Sequence, residues 1–264
     1  MIEDYEKLLK CYEASCRVTT QKALGSCTII YSKNKETLAL TNYHVIENCI
    51  QNKDVWDNIL QKDIKKQFTK SVEVLYPDLD TDRVEGYSTV KADIIIHDKE
   101  QDMALLRFRN EKDDYPFVKL YDRKKVKKVP ILSELACIGA ALGHEPITTF
   151  GYLNGVDNEI DNYEYWLSSA PSIFGNSGGG IFVHTENDWF FLGIPSRISV
   201  TGGWGGQAVT HMGFFIPLFR IYDWLEENCY QYIYDDIMTK EQCDDLREGK
   251  QEEGIIKQLI KKKL

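Results

Sequence analysis

Proline is scarce, at 7 in 264 residues, and glycine is no more than moderate at 18. That excludes collagen-like, mucin-like and long disordered chains. No stretch approaches the roughly 18 consecutive apolar residues a membrane helix needs. The start of the sequence, Met1-Ile2-Glu3-Asp4-Tyr5, has no basic n-region and no apolar h-region. The expectation is a cytoplasmic protein with no membrane partner. Positive charge is in deficit, 32 Lys and Arg against 41 Asp and Glu, for a net charge of −9. An acidic chain does not attract phosphate backbones, so no nucleic-acid partner is expected. The two basic runs, Arg123-Lys124-Lys125 through Lys127-Lys128 and Lys261-Lys262-Lys263, read as solvated loop and tail charge. The seven cysteines (Cys11, Cys16, Cys27, Cys49, Cys137, Cys229 and Cys243) contain no C-x-x-C pair. Zinc and dithiol spacing is therefore missing, and they read as reduced packing residues. No metal and no cofactor are implied.

What is present is an ordinary globular composition, 43% hydrophobic and 28% charged. At about 150 residues per domain the length allows one large domain or two small ones. Ile2, Tyr5, Leu8, Leu9 and Tyr12 recur at helical spacing, which predicts a helix over 1–15. β-type runs follow at 16–21, 27–32 and 36–41, and Lys33-Asn34-Lys35 predicts a hairpin between the last two. A looser helical pattern covers 53–67. Strand-like runs resume at 71–76, 86–97 and 103–109. After a connector with Asp113-Asp114-Tyr115-Pro116 and the basic run, they continue at 132–140, 147–156, 163–169, 179–184, 189–194 and 207–216. Helical spacing returns with Phe219, Tyr222 and Leu225, and with Ile255, Ile256, Leu259 and Ile260, where Gly254 is expected to interrupt or start the last helix. About a dozen short strands indicate packed barrels or a sandwich.

Gly175-Asn176-Ser177-Gly178-Gly179 is the sharpest local feature. A serine that attacks a carbonyl must project from a tight turn, and the oxyanion it creates needs donors fixed in advance. Glycines on both sides let the backbone turn and approach a substrate. The N–H groups of Gly175 and Ser177 could then meet one oxygen. His44, in Thr41-Asn42-Tyr43-His44-Val45 at a strand end, is the candidate general base. Asp102, directly before the apolar run Met103-Ala104-Leu105-Leu106, is the candidate acid that fixes its tautomer.

Taken together, these motifs and their order make the chain resemble the trypsin-like, chymotrypsin-fold serine peptidases, and in particular the HtrA/Deg-like branch. Gly25-Ser26, Ile138-Gly139, Leu192-Gly193-Ile194 and Gly213-Phe214-Phe215-Ile216-Pro217 add to the match, which spans about 16–218. The resemblance implies a mainly β fold of two six-stranded antiparallel β-barrels. It places barrel one over about 16–125 and barrel two over about 130–218, between the helix over 1–15 and a helical extension over 219–264 that residue spacing predicts; the chain is expected to depart from the HtrA/Deg-like branch in having no PDZ-like domain after 218. It further implies His44, Asp102 and Ser177 as a catalytic triad, Gly175 and Ser177 as the oxyanion hole, and a protein or peptide substrate. The long stretch between His44 and Asp102 indicates an insertion at about 50–70 on the first barrel. No disulfide beside the histidine is expected, since Cys27 and Cys49 do not match the positions it would need.

The substrate pocket would be drawn from Ser172, Ile173, Phe174, Ile194, Arg197 and His211. No acid lies near its expected base at Pro171-Ser172, which argues against a Lys or Arg preference; Arg197 or His211 would favour an acidic or Gln-type residue. Ile173 and Phe174 would either line the pocket or plug it. His97, His144 and His184 read as structural. Two other readings stay open: a silent or latent module of the same fold that binds a partner, and an assembly protein, of a virus or phage for instance, that only processes itself. The terminal helices are read as packing elements, oligomer contacts or partner contacts.

Overall fold

The computed structural model describes residues 2–57, 61–80, 83–109, 115–186, 188–202 and 206–260. Helix α1 (Ile2–Glu13) leads into β1 (Ser15–Thr19), β2 (Leu24–Lys33) and β3 (Glu36–Thr41). A single helical turn, α2 (Tyr43–Ile46), is followed by β4 (Ile50–Asp57), β5 (Lys62–Thr69), β6 (Val72–Asp80), β7 (Arg83–Asp98) and β8 (Met103–Phe108). The second half holds β9 (Glu134–Gly139), β10 (Ile147–Ile160), β11 (Tyr163–Ser168), β12 (Gly180–Thr185), β13 (Asp188–Val200) and β14 (Ala208–Pro217). Helices α3 (Leu218–Glu227) and α4 (Lys240–Ile260) complete the order. Contacts divide the chain into Met1–Leu218 and Phe219–Leu264.

The first unit contains two closed antiparallel barrels, in the orders β1-β2-β3-β8-β7-β6 and β10-β11-β14-β13-β12-β9. Closure removes every free strand edge, so the backbone groups of both rings are paired. The β2–β3 hairpin turns on Asn34 and Lys35, at φ 51° and 62°, with Lys33 opposite Glu36. Two consecutive left-handed residues make a type I′ turn, whose twist matches that of the strands it joins. Strand β3 is buried throughout, with Leu38 and Leu40 wholly enclosed. Strand β2 is buried from Gly25 to Ser32 because it also meets β9, so its second face is covered by the other barrel.

The helix expected over 53–67 is not there. Strands β4 and β5 pair instead as a separate two-stranded sheet, with Val55 opposite Ile64 and Trp56 opposite Asp63. The apolar residues are too sparse to build a buried helical stripe, and β5 is exposed along almost its whole length. β-Branched and aromatic residues favour cross-strand pairing in such a setting. The Lys53 ammonium lies 5.7 Å from the Phe68 ring centre on this sheet.

Gly254 neither interrupts nor starts the last helix. Helix α4 runs through it from Lys240, and its start is set by Thr239. The Thr239 hydroxyl accepts from Gln242 N–H at 3.2 Å, while Gln242 Oε1 accepts from Thr239 N–H at 2.9 Å. That reciprocal capping box satisfies two end groups at once. The side chains of Ile255, Ile256, Leu259 and Ile260, the Lys261–Lys263 run and Asp113-Asp114 lie outside the described residues. Among the described residues, no helix is long and apolar enough to cross a membrane.

Candidate active site

Helix α2 places His44 by burying everything around it. Tyr43, Val45 and Ile46 face inward, while the His44 side chain keeps 46% of its exposure. Asn42, extended at φ −82° and ψ 151°, reaches across with Nδ2 to the Asp102 carbonyl at 2.9 Å. Asp102 sits at φ 57°, a left-handed conformation that Asp tolerates better than most residues. There its carboxylate meets three donors. His44 N–H is 3.0 Å from Oδ1, His44 Nδ1 is 2.9 Å from Oδ1 and 3.0 Å from Oδ2, and Ser196 Oγ is 2.7 Å from Oδ2. A carboxylate only accepts, so Nδ1 carries the proton and Nε2 is left as the basic nitrogen.

Ser196 was not singled out from the sequence. The run 189–194 reads as a strand, and β13 carries it on through Pro195 to Val200. Its register with β14 slips between Pro195 and Arg197. A bulge at that point tolerates a proline and turns the extra residue out of the ladder. The hydroxyl so re-aimed crosses from the second barrel to the aspartate of the first.

The Ser177 turn joins β11 to β12. Asn176 N–H donates to Ile173 O at 3.0 Å, Gly179 N–H to Asn176 O at 2.9 Å and Gly178 N–H to Pro195 O at 3.3 Å. Asn176 is 1% exposed, and its Nδ2 reaches Cys137 Sγ at 3.4 Å. Gly178, at φ 87°, is required by space as well as angle: a Cβ would stand 2.1 Å from the Ser26 carbonyl oxygen and 2.4 Å from Thr41 Oγ1. Ser26 N–H donates to Ser177 O at 2.8 Å, and Gly25 lies against both Val45 and Ser177 O. The neighbour of the histidine and the serine turn thus meet on one glycine of β2.

The peptide before Gly175 is oriented by its carbonyl. Phe174 O accepts from Leu142 N–H at 2.6 Å. In a trans peptide the N–H points the opposite way, so Gly175 N–H faces away from Leu142. Gly175 O is held by Ser26 Oγ at 2.7 Å, and Ser26 Oγ in turn accepts from Ala140 N–H at 2.8 Å. Neither Gly175 N–H nor Ser177 N–H donates to a backbone carbonyl among the described residues. Ser177 Oγ and His44 Nε2 are not hydrogen-bonded to each other among the described residues.

The expected pocket residues fall in different places. Ser172 is 6% exposed, donates its N–H to Thr210 O at 2.7 Å and faces the Cα of Gly213. Phe174 is 64% exposed, so its ring fills no cavity. Ile173 is half-buried and His211 exposed. Ile194 is fully enclosed in the second barrel, opposite Ile216. Arg197 is committed elsewhere, to Asp161 at 2.7 Å and over the Tyr165 ring at 5.2 Å from its centre. His97 bonds Gln67 at 2.8 Å, and burial lowers its pKa against the charge of Asp98. His184 stacks on Trp189 at 4.7 Å. All seven cysteines are free and buried. Burial pushes the Cys11 thiol up to about 12 and raises Cys137 too, so these sulfurs are protonated packing groups. Among the described residues, no cluster of three or more His, Cys, Asp or Glu is disposed to hold a metal ion.

No curated protein matches this chain by sequence. Two solved structures of the HtrA-type protease AlgW with tripeptide share its fold, with TM-scores of 0.60 and 0.61 at 16% and 17% identity. The matches cover 86% and 88% of this chain but 64% of each AlgW chain, so it spans less than two thirds of their length. The model of the trypsin-like peptidase domain matches residues 25–194, from the glycine shared by the histidine and serine segments to the strand just before the Ser196 bulge. The chain belongs to the trypsin-like peptidase family.

Proposed function

We propose that this chain is a serine endopeptidase that hydrolyses peptide bonds through an acyl-enzyme, with Ser177 as nucleophile, His44 as general base and Asp102 as its orienting acid. The observation that carries the reading is the Asp102 carboxylate, which binds Nδ1 and the backbone N–H of His44 together with the Ser196 hydroxyl. That grip fixes the tautomer and stabilises the imidazolium that forms when Ser177 gives up its proton. Ser177 Oγ adds to the substrate carbonyl carbon, and His44 Nε2 takes the hydroxyl proton. Gly175 and Ser177 N–H hold the oxyanion, each donor contributing about 3 kcal/mol to the transition state. Collapse expels the amine, protonated by His44, and water repeats the sequence on the ester. The serine-to-histidine bond is the link that substrate binding would close, since such bonds are often long in empty sites.

The test is labelling with a fluorophosphonate at neutral pH. Wild type should label, and Ser177→Ala and His44→Ala should not. A well-folded wild type that fails to label would move the reading to a silent, partner-binding module.

A further inference from the structure

Two exposed ribbons carry opposite charge in doubled rows. On the β4–β5 sheet, Lys53 stands directly opposite Lys66. On the β10–β11 hairpin, Glu159 stands directly opposite Glu164. Like charges that face each other across a strand pair destabilise it, yet each ribbon keeps one such pair. Lys53, Lys66 and Glu159 are exposed, and Glu164 is half-buried. Among the described residues, no acid pairs with Lys53 or Lys66 and no base pairs with Glu159.

The stretches around these pairs sharpen the contrast. The chain as a whole is acidic, yet 61–70 holds Lys62, Lys65, Lys66 and Lys70 against Asp63 alone. The stretch 154–165 holds Asp157, Glu159, Asp161 and Glu164 with no Lys or Arg. Arg197 pairs with Asp161, and Trp166 Nε1 donates to Glu164 Oε1 at 2.7 Å. Asp157 and Glu159 stay exposed, with no ionic partner among the described residues. Both ribbons also stand clear of other strands. Strands β4 and β5 pair only with each other. Strand β10 meets β9 only over Ile147–Tyr152, and β11 meets β14 only over Trp166–Ser168. The stretch from Asn158 to Tyr165 is therefore two-stranded as well.

The match between the two names the occupant. Both are antiparallel ribbons with strands about 4.8 Å apart, so their side-chain rows share one pitch. A second copy of this chain brings a doubled acidic row to a doubled basic row of the same spacing. We propose that the β4–β5 ribbon of one molecule docks face to face on the β10–β11 ribbon of a second copy, with Lys53 and Lys66 against Glu159 and Glu164. Phe68 is 46% exposed and shares the face of Lys53 and Lys66, because alternate residues of a strand return to one side. The contact takes that ring out of water. In a two-fold pair the contact is made twice, so surface ion pairs that are weak singly act as a network.

Sedimentation velocity of the full chain tests it. Wild type at about 100 μM should associate in about 20 mM NaCl and fall to single molecules in about 0.5 M NaCl, where the Debye length is about 4 Å. The double variant Lys53→Glu, Lys66→Glu and the single variant Glu159→Lys should each weaken self-association about tenfold or more at low salt. Mixed in equal parts, the two variants should associate again, because the unaltered acidic ribbon of one meets the unaltered basic ribbon of the other. That recovery also shows that both variants are folded. A wild type that stays single at low salt, an association that survives either variant, or a mixture that fails to associate overturns the proposal. If the single wild type instead binds polyglutamate through Lys53 and Lys66, the basic ribbon belongs to an acidic peptide and the proposal falls.

Discussion

Ser196 contributes one hydroxyl proton to Asp102, and that bond crosses from the second barrel to the first. With it gone, Asp102 keeps both bonds from His44 but loses a constraint on its second oxygen. A hydrogen bond to a charged group contributes about 1.5 kcal/mol or more. Ser196→Ala is therefore expected to slow fluorophosphonate labelling about tenfold while leaving Tm within a few degrees. Stopped labelling time courses on wild type and variant measure it. His44 and Asp102, which the structure brings into contact, and Ser177, on its tight turn, each carry a local signature in the sequence: the strand end, the apolar run and the paired glycines. Ser196 carries none. Its direction depends on a register slip against β14, a long-range property that no window around Pro195 contains. The pairing of Arg197 is hidden for the same reason, since Asp161, its partner, lies in the β10–β11 hairpin.

Elements differ in how far their neighbours decide them. The β2–β3 hairpin is written in Asn34-Lys35 and forms where expected. The β4–β5 sheet lies where 53–67 carries only a loose helical pattern, and the cross-strand partners of Val55 and Trp56 decide it. The start of α4 was legible in principle, as Thr239 and Gln242 are three apart in the capping-box pattern, though Gly254 drew the boundary elsewhere. Thr239→Ala should destabilise the 219–264 unit by about 1 kcal/mol, seen as a lower urea midpoint in helical circular dichroism. Segment 140–144 is the element on which the Ser177 turn leans. Arg17 carries a buried Nε without a partner among the described residues, an expensive way to make one bond to Gly143 O. A positioning role accounts for that expense. Arg17→Ala should slow labelling about tenfold with little loss of Tm, and Arg17→Lys should recover part of the rate. A fall in Tm with unchanged labelling would reduce Arg17 to a packing residue.

At the scale of the whole molecule, the connector between the barrels is stitched to both. Tyr115 N–H donates to Ser32 Oγ and Val118 N–H to Ile29 O in the first. In the second, Phe191 N–H donates to Lys119 O and Tyr121 N–H to Phe191 O. Lys119 also pairs with Asp188 at the start of β13. Burial pushes the Asp188 carboxyl up, but the hydrogen bond from Lys119, the Trp189 N–H and the charges of Lys119 and Lys7 outweigh it and hold the pKa below the usual range. A depressed carboxylate stabilises the fold above its unfolded pKa, and that stabilisation is lost as pH falls through the folded value. Asp188→Asn should therefore cost about 1 kcal/mol near neutral pH. The gap to wild type should close at about pH 2, below the ordinary carboxylate range, as urea midpoints at the two pH values would register. The Ser26 hydroxyl has a different kind of consequence. It belongs to the first ring, yet it holds Gly175 O and Ala140 N–H of the second. A nascent chain that has closed one ring without docking the other would hold a serine but no shaped hole beside it. On the proposed peptidase reading, immature and partly opened molecules would be harmless to themselves and to their neighbours, and cutting power would be the last property the chain acquires and the first it gives up.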